Sequence, residues 1–126
     1  MAVSTISEIV AAMFSLFTYT TDLEQYGVFD DQRSHVASVK AGKKFKDDCD
    51  GFALTAVELL QKIRVDSTTM VVRKFGGDLH MITVFIDPDT KELMVLDNDY
   101  FGLRTFKQAA EGSRYKDVFG RNLWAS

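Results

Sequence analysis

The chain has 126 residues, 46% of them hydrophobic and 26% charged, with a net charge of −3. That is enough chain for one domain, residues 1–126, with its own core. The acidic balance argues against nucleic acid as the main partner, since phosphate binding wants clustered positive charge, and the single cysteine excludes an internal disulfide or a multi-cysteine zinc site.

Ile6 to Phe17 is apolar, but no Lys or Arg precedes it and Glu8 interrupts it. It is neither a secretory signal nor a membrane span, so no membrane partner is expected and the chain reads as cytoplasmic. Ile6, Ile9, Val10, Met13 and Phe17 recur at helical intervals, and Thr5 with Glu8 fits a capping box. A first helix is expected over 5–18. Tyr19 to Asp31 reads as an ordered loop, Asp30 to Val39 as room for a short helix, and Ala41-Gly42-Lys43-Lys44 as a turn with Gly as the stop.

Asp47 to Leu60 follows and carries Cys49. Ala53, Val57 and Leu60, with Phe52, Ala56, Leu59 and Ile63 beside them, give the spacing of a buried helix over 48–63. Asp47 and Asp48 stand where such a helix is capped. Cys49 then falls in the first turn, where the helix dipole favours an anion, so its thiol is expected to lean towards thiolate. The neighbouring carboxylates oppose that bias, because negative charge beside a thiol raises its pKa.

Thr68 to Phe75 alternates as a strand, Gly76-Gly77-Asp78 is a turn, and His80 to Asp87 is the strongest strand signal in the chain. Asp87 to Glu92 is a turn built on Pro88, and Leu93 to Leu96 is a third strand. Three such strands make an antiparallel meander. A short helix is expected near Thr105–Glu111, and the aromatic segment Tyr115 to Trp124 is expected to pack on the core. Helices first and antiparallel strands after them define an α+β fold.

If the second and third strands form a hairpin, His80 at the start of one lies beside Asp97 at the end of the other. The helix bearing Cys49 must pack on that sheet and can point at the same corner. Nucleophile, base and orienter would then converge, with the Cys49 backbone N–H as oxyanion donor. The plainer readings are a packed thiol, a strand-edge histidine and turn aspartates. His35 reads as solvated, Lys40, Lys43, Lys44 and Lys46 as a solvated loop, and Phe14, Phe17, Phe52, Phe85 and Trp124 as core aromatics.

Asp48-Cys49-Asp50 opening a helix, His80 starting a strand and Leu96-Asp97-Asn98 ending the next resemble the transglutaminase-like cysteine peptidases of bacteria, a papain-like family. Tyr19, Asp22, Tyr26-Gly27 and Asp30 echo that family's spacing upstream of the cysteine, so the resemblance covers about Phe17 to Asn98. It implies a papain-like fold with a Cys49-His80-Asp97 triad, a protein or peptide substrate cut through a thioester, and a compact member of bacterial or phage origin. It also implies calcium at Asp48 and Asp50, although the triad itself requires no cofactor. The family commonly has Cys-Glu-Asp where this chain has Cys49-Asp50-Gly51, which removes one carboxylate from the calcium ligands. The alternative function is a degenerate domain of the same fold that binds a protein without cutting it. A thiol pKa at or above the free value would favour that alternative.

Overall fold

The computed structural model describes residues 2–20, 34–74 and 79–111, and the backbone of 115–118. Asp22, Tyr26, Gly27, Asp30, the Gly76-Gly77 turn and Trp124 lie outside the described residues.

Helix α1 spans Ile6–Leu16. The Thr5 hydroxyl accepts from the Glu8 N–H at 3.1 Å, and the Glu8 carboxylate reaches back to the Ser4 N–H, so the expected cap is present. The helix ends before Phe17 rather than at residue 18. Phe17–Tyr19 form instead a short strand, β1, because their backbone pairs in parallel with a later strand. Helix α2, Val36–Lys40, stops at Gly42, whose φ of 71° lets the Lys43 N–H fold back onto the Ser38 carbonyl at 2.9 Å. Strand β2, Phe45–Asp47, is the partner of β1.

Helix α3, Cys49–Lys62, carries the nucleophile candidate in its first position, with Asp48 as N-cap. The strands follow as β3 (Ser67–Lys74), β4 (Leu79–Ile86), β5 (Leu93–Asp97) and β6 (Tyr100–Thr105). Helix α4 (Phe106–Glu111) and strand β7 (Tyr115–Val118) complete the described chain. The antiparallel sheet has five strands in the order β6-β5-β4-β3-β7, against the three expected. The expected meander is its centre. Strands β6 and β7 were hidden because neither has a clean alternation, and both gain their order from pairing across the sheet.

Core side chains fill both faces. Ile9, Met13, Phe52, Leu59, Leu60, Phe85 and Leu96 close the space between α1, α3 and the sheet. Val72, Ile82, Val84 and Val95 pack on the other face with Ala109 of α4. Strand β4 is buried on both sides, which explains its continuous apolar run. Two sheet hydroxyls lock α3 in rotation: Thr83 Oγ1 donates to the Ala53 carbonyl at 3.0 Å, and Ser67 Oγ to the Val57 carbonyl at 3.3 Å.

The start of α3 is tied down a second time. Asp47 is fully buried, its Oδ2 lies 2.6 Å from His35 Nε2, and its Oδ1 accepts the Asp48 N–H at 2.8 Å. The His35 ring stacks on Phe45, and its backbone N–H donates to Thr55 Oγ1, whose hydroxyl in turn donates to the Gly51 carbonyl. Against the expectation from sequence, His35 is not solvated, and Asp47 is a buried partner of His35 while Asp48 alone caps the helix. A buried carboxylate must have partners, and here they come from His35 and the backbone.

Gly51 makes this possible. A Cβ on it would lie 1.9 Å from Asp47 Oδ2. Gly51→Ala should therefore cost about 2 kcal/mol in urea unfolding, despite the better helix propensity of Ala. In an Asp47→Ala background the carboxylate is gone but the residue 47 Cβ still lies 2.7 Å from the added methyl, so the cost should shrink without vanishing. An undiminished cost in that background would place the clash elsewhere.

Candidate active site

Cys49 and His80 line one cavity of about 410 Å³, together with Tyr19, Lys74, Leu79, Asn98 and Asp99. Each wall has a local origin. The β1–β2 pairing sets Tyr19 beside Asp47 at the root of α3. The hydroxyl locks on α3 put its first turn over the start of β4, where the Met81 N–H donates to the Cys49 sulfur. The β4–β5 register, Thr83 opposite Leu96, carries His80 to the turn at Asp97–Asp99.

The expected hairpin thus brings His80 and Asp97 together. His80 Nε2 lies 2.7 Å from Asp97 Oδ1, with the two residues 5% and 2% exposed. With Nε2 donating to Asp97, Nδ1 is the ring nitrogen left to accept a proton. Asp97 Oδ1 also accepts the Asp99 N–H at 2.9 Å.

Several polar residues were not read from the sequence. Lys74, at the end of β3, is ion-paired with Asp99 across the start of β4. That contact, ahead of the opposing effect of partial burial, raises the Lys74 pKa. Asp99 Oδ2 lies 3.8 Å from His80 Nε2. Arg104, on β6, places Nη2 3.6 Å from Asp97 Oδ2. Asp99 had a faint signal, two residues past Asp97 in a turn. Lys74 and Arg104 had none, because they converge only once β3, β5 and β6 sit in register.

The Cys49 thiol is pushed up to about 12. Burial is the largest cause, the charges of Asp50 and Asp48 add to it, and the Met81 N–H offsets it in part. The helix-start bias towards thiolate is overturned: desolvation and two flanking carboxylates outweigh a dipole worth a fraction of a charge. The thiol donates to Asp50 Oδ1 at 3.5 Å, which also favours the neutral form. Burial likewise raises Tyr19, helped by the electrostatic influence of its neighbours Cys49, Asp48 and Asp99.

Asp48 Oδ1 is engaged as the helix cap, accepting from the N–H groups of Asp50 and Gly51 at 3.1 and 3.3 Å. Among the described residues, one cluster of three groups lies close enough to share a cation: His80, Asp97 and Asp99. Lys74 and Arg104 already set positive charge against its two carboxylates, so a cation is not assigned there.

No family model and no curated protein matches the chain. Solved structures do. The calcium-bound form of LapG from Legionella pneumophila superposes with a TM-score of 0.58 at 19% identity, over 89% of this chain and 60% of that one. A protein assigned as a cysteine protease from Cytophaga hutchinsonii gives 0.56 at 16% identity, over 94% and 41%. A TGase gives 0.52 at 17%, over 82% and 29%. The fold is α+β of the transglutaminase-like, papain-like type. The chain spans about three-fifths of the length of LapG. No helix among the described residues is long and apolar enough to cross a membrane.

Asp50→Asn removes one of the charges that hold the thiol up and leaves a neutral amide oxygen as the weaker acceptor of the thiol proton. Less negative charge lowers the pKa, so more thiolate exists at a given pH. Cys49 alkylation by iodoacetamide at pH 8 in EGTA should be faster in Asp50→Asn than in the parent chain. An unchanged rate would mean that burial alone controls the thiol.

Proposed function

We propose that the chain is a cysteine peptidase or amidase acting on a protein or peptide substrate, with Cys49 as nucleophile, His80 as base and Asp97 as orienter. The observation that carries this reading is the buried 2.7 Å contact between His80 and Asp97, in a cavity that Cys49 shares. The fold of the structural neighbours supports it.

The chemistry follows from the groups. His80 Nδ1 takes the thiol proton as the sulfur attacks the carbonyl carbon, and Asp97 holds the imidazolium. The Cys49 N–H, at the open end of α3, donates to the oxyanion. The amine leaves with the proton from His80, and water then cleaves the thioester. A thiol that rests protonated suits this order, because His80 takes the proton as the sulfur attacks an electrophile. Transfer to an amine in place of water is the same chemistry.

Calcium fits this reading in kind. LapG has been solved in calcium-bound and EGTA-treated forms. Asp48 and Asp50 offer hard carboxylate oxygens on either side of Cys49, although calcium wants six to eight oxygens and water would supply the rest. A cation held there would offset the charge that holds the thiol up. Calcium should therefore speed Cys49 alkylation, and Asp50→Asn should blunt that response. Equal rates in calcium and EGTA would remove the cation from the reading.

The second reading, a binding module of the same fold, is favoured by one observation, the thiol at about 12. The deciding experiment incubates the chain with a denatured proteome in calcium and maps new peptide N-termini by mass spectrometry. Cleavage that disappears in Cys49→Ala and His80→Ala, with their melting temperatures unchanged, is expected. Cleavage that survives Cys49→Ala, or none in the parent chain, moves the reading to the binding module.

A further inference from the structure

Asp97 orients His80, but a carboxylate on a strand end needs something to orient it. Its two oxygens are divided. Oδ1 takes His80 Nε2 and the Asp99 N–H, and Oδ2 faces Arg104 Nη2 at 3.6 Å. Arg104 is 7% exposed, on β6 with its backbone opposite Val95, so its side chain runs along the sheet to reach Asp97. Burying a guanidinium is costly unless an opposite charge accompanies it, and Asp97 is the buried carboxylate beside it. The register shift between Val95 and Asp97 displaces that strand end relative to β6. The Tyr100 ring, paired with Asp97 across the hairpin, lies under the guanidinium, with Arg104 Cζ 4.0 Å from its centroid. That shelf limits the positions the guanidinium can take.

We infer that Arg104, held on Tyr100, is the positioning residue of this site: it fixes the rotation of the Asp97 carboxylate and so the tautomer of His80. This rests on the peptidase reading of the Cys49 cavity. Arg104 is not among the residues that line the cavity, so it acts through Asp97. If Asp97 turned away, the Nε2 proton would lose its acceptor, and the imidazole could present N–H, not a lone pair, to the thiol. A planar, always-charged group is better suited to holding one carboxylate orientation than an ammonium.

The test uses the whole chain and reads Cys49 alkylation by iodoacetamide at pH 8 in calcium. The downfield proton resonance of the His80–Asp97 contact is read alongside it, with circular dichroism to check folding. Arg104→Gln should slow alkylation about tenfold, the order expected when a buried ion pair loses one charge, and should shift or erase the resonance. Arg104→Lys should recover part of both. If Arg104→Gln does not fold, Tyr100→Leu is read in its place: it keeps the buried charge and removes the shelf, and it should slow alkylation and move the resonance. His80→Ala is the control that separates two failures. A slow His80→Ala with parental rate and resonance in the Arg104 or Tyr100 variant overturns the role of Arg104 and leaves the peptidase reading standing. A parental rate in His80→Ala overturns both.

Discussion

The carboxylate of Asp47 is the constraint on which the site depends. It is buried without access to water, so its negative charge must be met inside the protein. It is met by His35 from one side and by the backbone at the start of α3 from the other. The same carboxylate fills the space beside Gly51, so side chain and missing side chain fit as a pair. Because Asp47 also ends β2, which pairs with β1, one residue joins four pieces of chain: the His35 segment, β2, the root of α3 and β1 with its Tyr19.

Around Cys49 the balance of forces is different. The thiol sits at the positive end of a helix, a setting that lowers thiol pKa when the surroundings are open or cationic. Here the surroundings are closed and anionic, and burial dominates. Positive charge is present in the cavity on Lys74, but Asp99 takes it. The result is a nucleophile candidate held neutral beside an oriented His–Asp pair. Such a site is quiet until something else supplies the missing charge or removes the proton.

Much of this was legible in the sequence, for identifiable reasons. The helix bearing Cys49 announced itself through its apolar spacing, and β4 through its β-branched run, because both bury continuous faces. The His80–Asp97 contact followed from hairpin geometry around Pro88, where Asp87 Oδ1 accepts the N–H groups of Asp89 and Thr90 as a local turn should. What escaped depends on distant pairing. His35 meets Asp47 only because α2 folds back on α3, Arg104 meets Asp97 only across the β5–β6 register, and the thiol's ionisation reflects burial that no local pattern encodes. Local chemistry could be read from the chain; the charge environment could not.

The order of the central strands has a kinetic meaning. Strands β4, β5 and β6 are neighbours in the chain and in the sheet, so each pairing closes a short loop at little entropic cost. His80, Asp97 and Arg104 all lie within that run. Cys49 belongs to a helix whose docking on β4, through contacts such as that of Thr83 with Ala53, spans 30 residues. During folding, the base and its supports are the low-contact-order part of the molecule, and the nucleophile arrives by the longer closure.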